Sequence, residues 1–223
     1  MKIKTMVATF ALFAAPALAD SVDLDFQQVA GGSGAADVRI GSETFQAGHM
    51  VHTITSGPNA GSSFSTFCIE LAELAVTGSA TYQVVDLADA PAPGVPYGQA
   101  VADDISAIVA NAAALGWIGT DLQADSNQTG FTGKMGAIQA AIWEAVGGDV
   151  NINSSQTSDE LAFYYTVLLN GATFDDSLRV SGLRALVAVG QQDMLYIVPL
   201  PPAALAGAGL LLGIGGLRVA RRR

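Results

Sequence analysis

Phe64-Ser65-Thr66-Phe67-Cys68-Ile69-Glu70-Leu71 contains the single cysteine of a 223-residue chain. Its alternation predicts an extended strand, with Ser65, Phe67, Ile69 and Leu71 on one face and Phe64, Thr66, Cys68 and Glu70 on the other. The thiol is therefore expected to point away from the more apolar face, towards whatever covers the opposite side. Upstream, Gly57-Pro58-Asn59-Ala60-Gly61 reads as the turn that delivers the chain into this strand. One cysteine cannot make an intramolecular disulfide, so Cys68 is free, paired between chains or used chemically.

The second informative stretch runs from Thr132 to Gly148, TGKMGAIQAAIWEAVGG, and predicts a helix stopped by its paired glycines. Met135, Ile138, Ile142, Trp143 and Val146 recur at helical spacing and form a buried stripe. Gln139 falls in the middle of that stripe. A buried amide without partners costs roughly 1–3 kcal/mol, so Gln139 must be hydrogen-bonded or chemically altered.

The Phe-Cys-Ile-Glu-Leu strand and the Ala-Ile-Gln-Ala-Ala-Ile-Trp-Glu helix resemble the two signature segments of thioester domains, which occur in Gram-positive surface adhesins. The resemblance reaches at most from Val38 to Leu195. It departs from the family pattern at Glu70, where many relatives have Asp or Asn, and at Ile138. What it implies is an internal bond between Cys68 Sγ and Gln139 Cδ, formed with loss of ammonia. Phe67 and Trp143, with Tyr164 or Tyr165, are candidates for the cover that keeps water off such a bond.

Both ends carry export signals. Residues 1–19 read as a signal peptide, with Lys2 and Lys4 before an apolar core and Ala17-Leu18-Ala19 as the cleavage site. At the other end, Val198-Pro199-Leu200-Pro201-Pro202 precedes an apolar run and Arg218, Arg221, Arg222 and Arg223. This tail resembles the VPLPA subclass of PEP-CTERM sorting signals, with a doubled proline as a departure. The resemblance implies a membrane-embedded, exosortase-type processing enzyme as partner. As a helix, residues 203–220 extend about 27 Å against a hydrocarbon core of ~30 Å, and the arginines hold that end in the cytoplasm. The expected location is the cell envelope, cell surface or exterior, with the chain held to the membrane at least transiently.

Between the two signals, residues 20–198 carry all twenty acidic side chains and only Arg39, Lys134, Arg179 and Arg184, a net charge of −16. Such a surface repels nucleic acid and anionic lipid, so nucleic-acid partners are set aside. The expected fold is α+β, with a β-sandwich or barrel-like half and an inserted helical subdomain, flanked by the signal peptide and a C-terminal transmembrane helix. Its parts are a β-rich region over 20–90, including strands over 37–40, 50–54 and 81–85, and a helical region over 99–170. Returning strands follow over 178–198. Within this scheme, helices are expected over 103–115 and 158–169, the latter capped by Ser158. Strands over 183–189 and 194–198 are joined by a turn at 190–193.

No cofactor and no metal is expected. Asp121, Asp125 and Asn127 lack a full calcium-loop pattern. His49 and His52 are expected at the surface or at strand ends rather than as ligands. Three function classes follow: a thioester protein that couples covalently to an amine or other nucleophile on an extracellular target, a structural biofilm or matrix protein of the same fold, and a thiol hydrolase pairing Cys68 with His49 or His52. The first reacts once per molecule and is not an enzyme.

Overall fold

The structure is a computed structural model that describes residues 21–29, 35–57, 59–91 and 93–197. The expected signal peptide, sorting motif and transmembrane helix lie outside these residues, and among the described residues no helix is long and apolar enough to cross a membrane. The described residues belong to one compact unit.

That unit is mixed α+β, built on antiparallel sheets and three helices. Nine strands appear in the described chain: β1 (Ser21–Val29), β2 (Ala36–Ile40), β3 (Glu43–Ala47), β4 (Met50–Ile54), β5 (Ser63–Thr66), β6 (Gly78–Asp86), β7 (Val150–Asn151), β8 (Leu183–Ala188) and β9 (Gln191–Ile197). The helices are α1 (Gly98–Ala114), α2 (Phe131–Ala145) and α3 (Asp159–Leu168). A six-stranded sheet has the order β5-β4-β1-β6-β8-β9, and a small sheet has the order β3-β2-β7.

The large sheet curls until its two edges touch. Just past β5, Cys68 forms a single antiparallel bridge with Met194 of β9, made by Leu195 N–H to Phe67 O and Ile69 N–H to Asp193 O, each at 2.9 Å. The Thr66 hydroxyl adds a bond to Leu195 O. Of the expected sandwich or barrel-like half, no barrel is closed: one bridge joins the edges where a barrel needs a continuous ladder. Nor does the β-rich half stay together, because β2 and β3 leave the large sheet and pack with β7 against α2.

At the centre lies α2. The sequence predicts a one-sided stripe, yet Phe131, Gly133 and every residue from Met135 to Trp143 are buried. The reason is the small residues on the other faces, Gly133, Gly136, Ala137, Ala140 and Ala141, which admit neighbours on all sides. Those neighbours are α1, α3, β2, β3 and β7. A Cβ added to Gly136 would stand 2.8 Å from Ala36 Cβ and 2.9 Å from Leu161 Cδ1, both too close. Gly136→Val should consequently lower stability by about 3 kcal/mol through overpacking, measured as a reduced urea midpoint.

Several local expectations change. Helix α1 begins at Gly98, where a Gly with φ of +77° starts the helix directly after the proline-containing segment. Ser158 precedes α3 as expected but makes no side-chain cap; its N–H donates to Asp37 O at 2.8 Å, which ties α3 to β2 instead. The β8–β9 turn is tighter than 190–193, since β9 already starts at Gln191 and Gly190 takes φ of +80°.

Candidate functional site

The ladder between β4 and β5 explains why a glutamine is needed at Cys68. The register pairs Met50 with Thr66 and His52 with Phe64, so the next hydrogen-bonding position along the chain is Cys68. Strand β4 starts only at Met50, and among the described residues no strand faces Cys68 on that side. Gln139 fills the place. Its Oε1 accepts from Cys68 N–H at 2.9 Å, and its Nε2 donates to Cys68 O at 2.8 Å. A side chain 71 residues away thus completes the ladder, as a short strand would.

The same device occurs once more on this segment. Gln123 Oε1 accepts from Ser65 N–H, and Gln123 Nε2 donates to Ser65 O, both at 3.1 Å. Here the clamp sits on the opposite edge, the one that faces β9 at Phe67 and Ile69. Nothing in the sequence flagged Gln123; its only signal was an amide in a polar loop.

Cys68 and Gln139 are therefore brought together, both in the core, with 2% and 1% of their surfaces exposed. The two hydrogen bonds come from the peptide groups on either side of the Cys68 Cα, so the carbon bearing the thiol arm lies between them. Cys68 Sγ donates to Glu70 O at 3.8 Å, and Trp143 Nε1–H donates to the same oxygen at 3.1 Å. Burial pushes the thiol far above its usual range, an effect reinforced by the negative charges of Glu70 and Asp193 and partly offset by the Trp143 indole. The sulfur is a protonated thiol at neutral pH.

Of the cover candidates, Trp143 is buried against the site through that indole bond. Phe67 is buried as well but stacks on His49, with ring centres 4.7 Å apart, on the face of the chain away from the cysteine side chain. Tyr164 instead meets the edge of Trp117, and Tyr165 is buried in α3.

The histidines depart from expectation. Both are buried, because His52 lies on the inward face of β4 between Phe26 and Phe64, and His49 packs on Phe67. His49 Nε2 and both nitrogens of His52 have no hydrogen-bond partner, so neither imidazole is paired with the thiol. Desolvation lowers both to about 4, and they are neutral at pH 7. Asp121 and Asp125 spend carboxylate oxygens on local turns, to Gln123 N–H and Asn127 N–H, and no cluster of metal-ligating side chains is found among the described residues. An open cleft of about 510 Å³ lined by Asp86, Asp103, Ser106, Arg179 and Arg184 shares no residue with the Cys68 site.

Glu70 is the group that a sequence reading undervalues. It is only 4% exposed. Its Oε1 accepts weakly from Asp193 N–H at 3.4 Å, and it forms no ion pair among the described residues. Burial, with Asp193 and Glu73 close by, raises its carboxyl to about 7. Since the folded value lies above the unfolded one, near 4.5, the folded state holds a proton that the unfolded chain releases, and stability falls as pH rises from about 4.5 to about 7. His49 and His52 act in the opposite sense over pH 4–6.5, since each is neutral when folded and charged when unfolded. The difference between the wild-type chain and Glu70→Gln isolates the carboxyl: the variant should gain stability relative to wild type as pH rises from 4.5 to 7.5, read from paired urea midpoints.

No protein family, curated protein or solved structure matches this chain. The functional reading rests on the residues and their geometry.

Proposed function

We propose that this chain is an exported surface or matrix protein whose Cys68 and Gln139 form an internal thioester, a single-use electrophile for an amine or other nucleophile on an extracellular target. The observation that carries this reading is the clamp of the Gln139 amide on the peptide groups flanking Cys68. Folding holds the amide beside the one thiol in the chain, and such placement is worth an effective concentration of ~10⁵ M or more. In the reaction, Sγ bonds to Gln139 Cδ, the carbonyl electrons move to Oε1, and the C–N bond breaks to release ammonia. The hydrogen bond from Cys68 N–H already lies on Oε1, the atom where negative charge develops, and so supplies the oxyanion donor.

On this reading the chain reaches the cell surface through its signal peptide, and an exosortase-type enzyme handles its C-terminal tail. The target approaches from outside. Leu74 and Val76, four and six residues after Glu70 in sequence, are 69% and 49% exposed and offer apolar contact to the target. The expected result is that a fluorescent primary amine becomes attached at Gln139, survives denaturation, and fails to attach to Cys68→Ala. Equal labelling of that variant would remove the covalent mechanism.

A second reading, a non-reactive structural protein, is favoured by Gln123. That residue makes the same clamp at Ser65, where there is no thiol. In the structural reading both glutamines are surrogate strand partners and nothing more, and the amine stays unattached in every variant.

A further inference from the structure

Thioester formation requires a proton to leave the sulfur and a proton to reach the departing nitrogen. The Cys68 environment names few groups for that task. Both histidines are without a bond to the thiol, and Phe67 and Ile69, which alternate with Cys68, carry no acid. By alternation Glu70, two residues on, shares the Cys68 face; its side chain is buried in the same place and is close enough for its charge to act on the thiol. Its main-chain oxygen already accepts from the thiol. Its carboxyl accepts from Asp193 N–H at 3.4 Å and feels a main-chain bond from Glu73, and it makes no ion pair among the described residues.

We propose that the Glu70 carboxyl is the proton carrier of thioester formation. This rests on the thioester reading above and adds the group that makes it go. The carboxylate takes the hydrogen from Cys68 Sγ as sulfur bonds to Gln139 Cδ and the carbonyl electrons shift to Oε1. When the tetrahedral centre collapses, the carbonyl re-forms and Nε2 leaves with the bonding pair, taking the proton from Glu70 to depart as ammonia. One S–H and one C–N bond break, one S–C and one N–H bond form, and Glu70 ends as it began. No outside oxidant or cofactor enters.

The groups facing Glu70 set the condition under which it is a base. Asp193 and Gln192 approach from β9, Glu73 from the segment after Glu70, Tyr97 from the chain before α1 and Trp143 from α2. Tyr97 donates its hydroxyl to Ile69 O, Trp143 donates to Glu70 O, and Gln192 Nε2 donates to Glu70 O at 3.4 Å. The ionisable members other than the thiol are acids or phenols, so burial first, and then the negative neighbours, raise the carboxyl, and no cation pins it as an anion. Tyr82, which also senses Asp193 and Glu73, lies at the rim of the same cluster.

The test follows re-closure of the ring in the purified full chain. Ammonia at high concentration opens a thioester back to Gln139 and the free thiol; when it is removed, re-closure is read by intact mass as loss of one ammonia across pH 5.5–8.5. For the wild-type chain the rate should rise with pH and level off above about 7, the range in which Glu70 becomes a carboxylate. Glu70→Gln should slow re-closure by at least ~100-fold and abolish that pH dependence, and Glu70→Asp should recover part of both. Re-closure of Glu70→Gln within threefold of wild type, with the same profile, overturns the proposal and leaves the thioester standing. A wild-type chain that never loses ammonia overturns the thioester itself. If Glu70→Gln does not fold, a flat wild-type profile between pH 6 and 8 is the overturning result.

Discussion

The chain purified from an exporting host should weigh one ammonia less than the sequence left after processing of its ends requires, and methylamine should raise that mass by one methylamine. Cys68→Ala should show neither change. This is the all-or-none outcome of the proposed chemistry. Cys68→Ala is the right control because the clamp uses the Cys68 N–H and C=O and not its side chain, so the alanine variant keeps the fold and loses only the nucleophile. Its stability should fall by about 1 kcal/mol for the small void left at a buried position. The full calculated mass of that processed chain, together with a thiol that titrates after unfolding, would point to the structural reading.

The second large effect is on stability and does not depend on the covalent bond. Gln139→Ala strands the Cys68 N–H and C=O in the core, at about 1–3 kcal/mol for each unsatisfied group, and leaves a cavity beside Trp143. We expect a loss of about 3–5 kcal/mol by urea denaturation, a large part of the 5–15 kcal/mol typical of a domain. Gln123→Ala breaks the equivalent clamp at Ser65, but both residues there are only partly buried, so water can replace the amide and the loss should be about 1 kcal/mol. Similar losses for the two variants would mean that Gln139 is not the keystone of the core that its burial indicates. Gln139→Glu adds a sign test. A carboxylate places an acceptor against Cys68 O, so the variant needs its proton to keep both bonds and should be more stable at acidic pH than at neutral pH.

The two readings of Gln139 are compatible in the folded chain before reaction. A planar amide that pairs with both the N–H and the C=O of one residue substitutes for a missing strand. At Ser65, where Gln123 makes the same pair, there is no thiol for an amide to react with. At Cys68 the proposed chemistry would use the same amide as its electrophile, with Glu70 as the proposed proton acceptor.

The sequence by itself determined the local elements whose signals are short-range. The alternation in Met50–Ile54 and the helical spacing around Gln139 and in Asp159–Leu168 each gave an element within a residue or two of its observed bounds. It also singled out Cys68 and Gln139, because a lone thiol and a buried amide both demand partners. What it did not determine were the long-range pairings. Strand β3, β7 and the first half of β1 carry weak patterns of their own and become strands only because neighbours complete their hydrogen bonds. His49 and His52 looked like surface residues by type, and only the inward face of β4 and the Phe67 ring put them in the core. The all-round burial of α2 depends on what packs against its small residues, which no periodicity encodes. Above all, tertiary structure decided that Gln139 meets the main chain of Cys68: where β4 begins determines which peptide group is left without a strand on that side, and that is a property of the sheet's register, not of any residue within it.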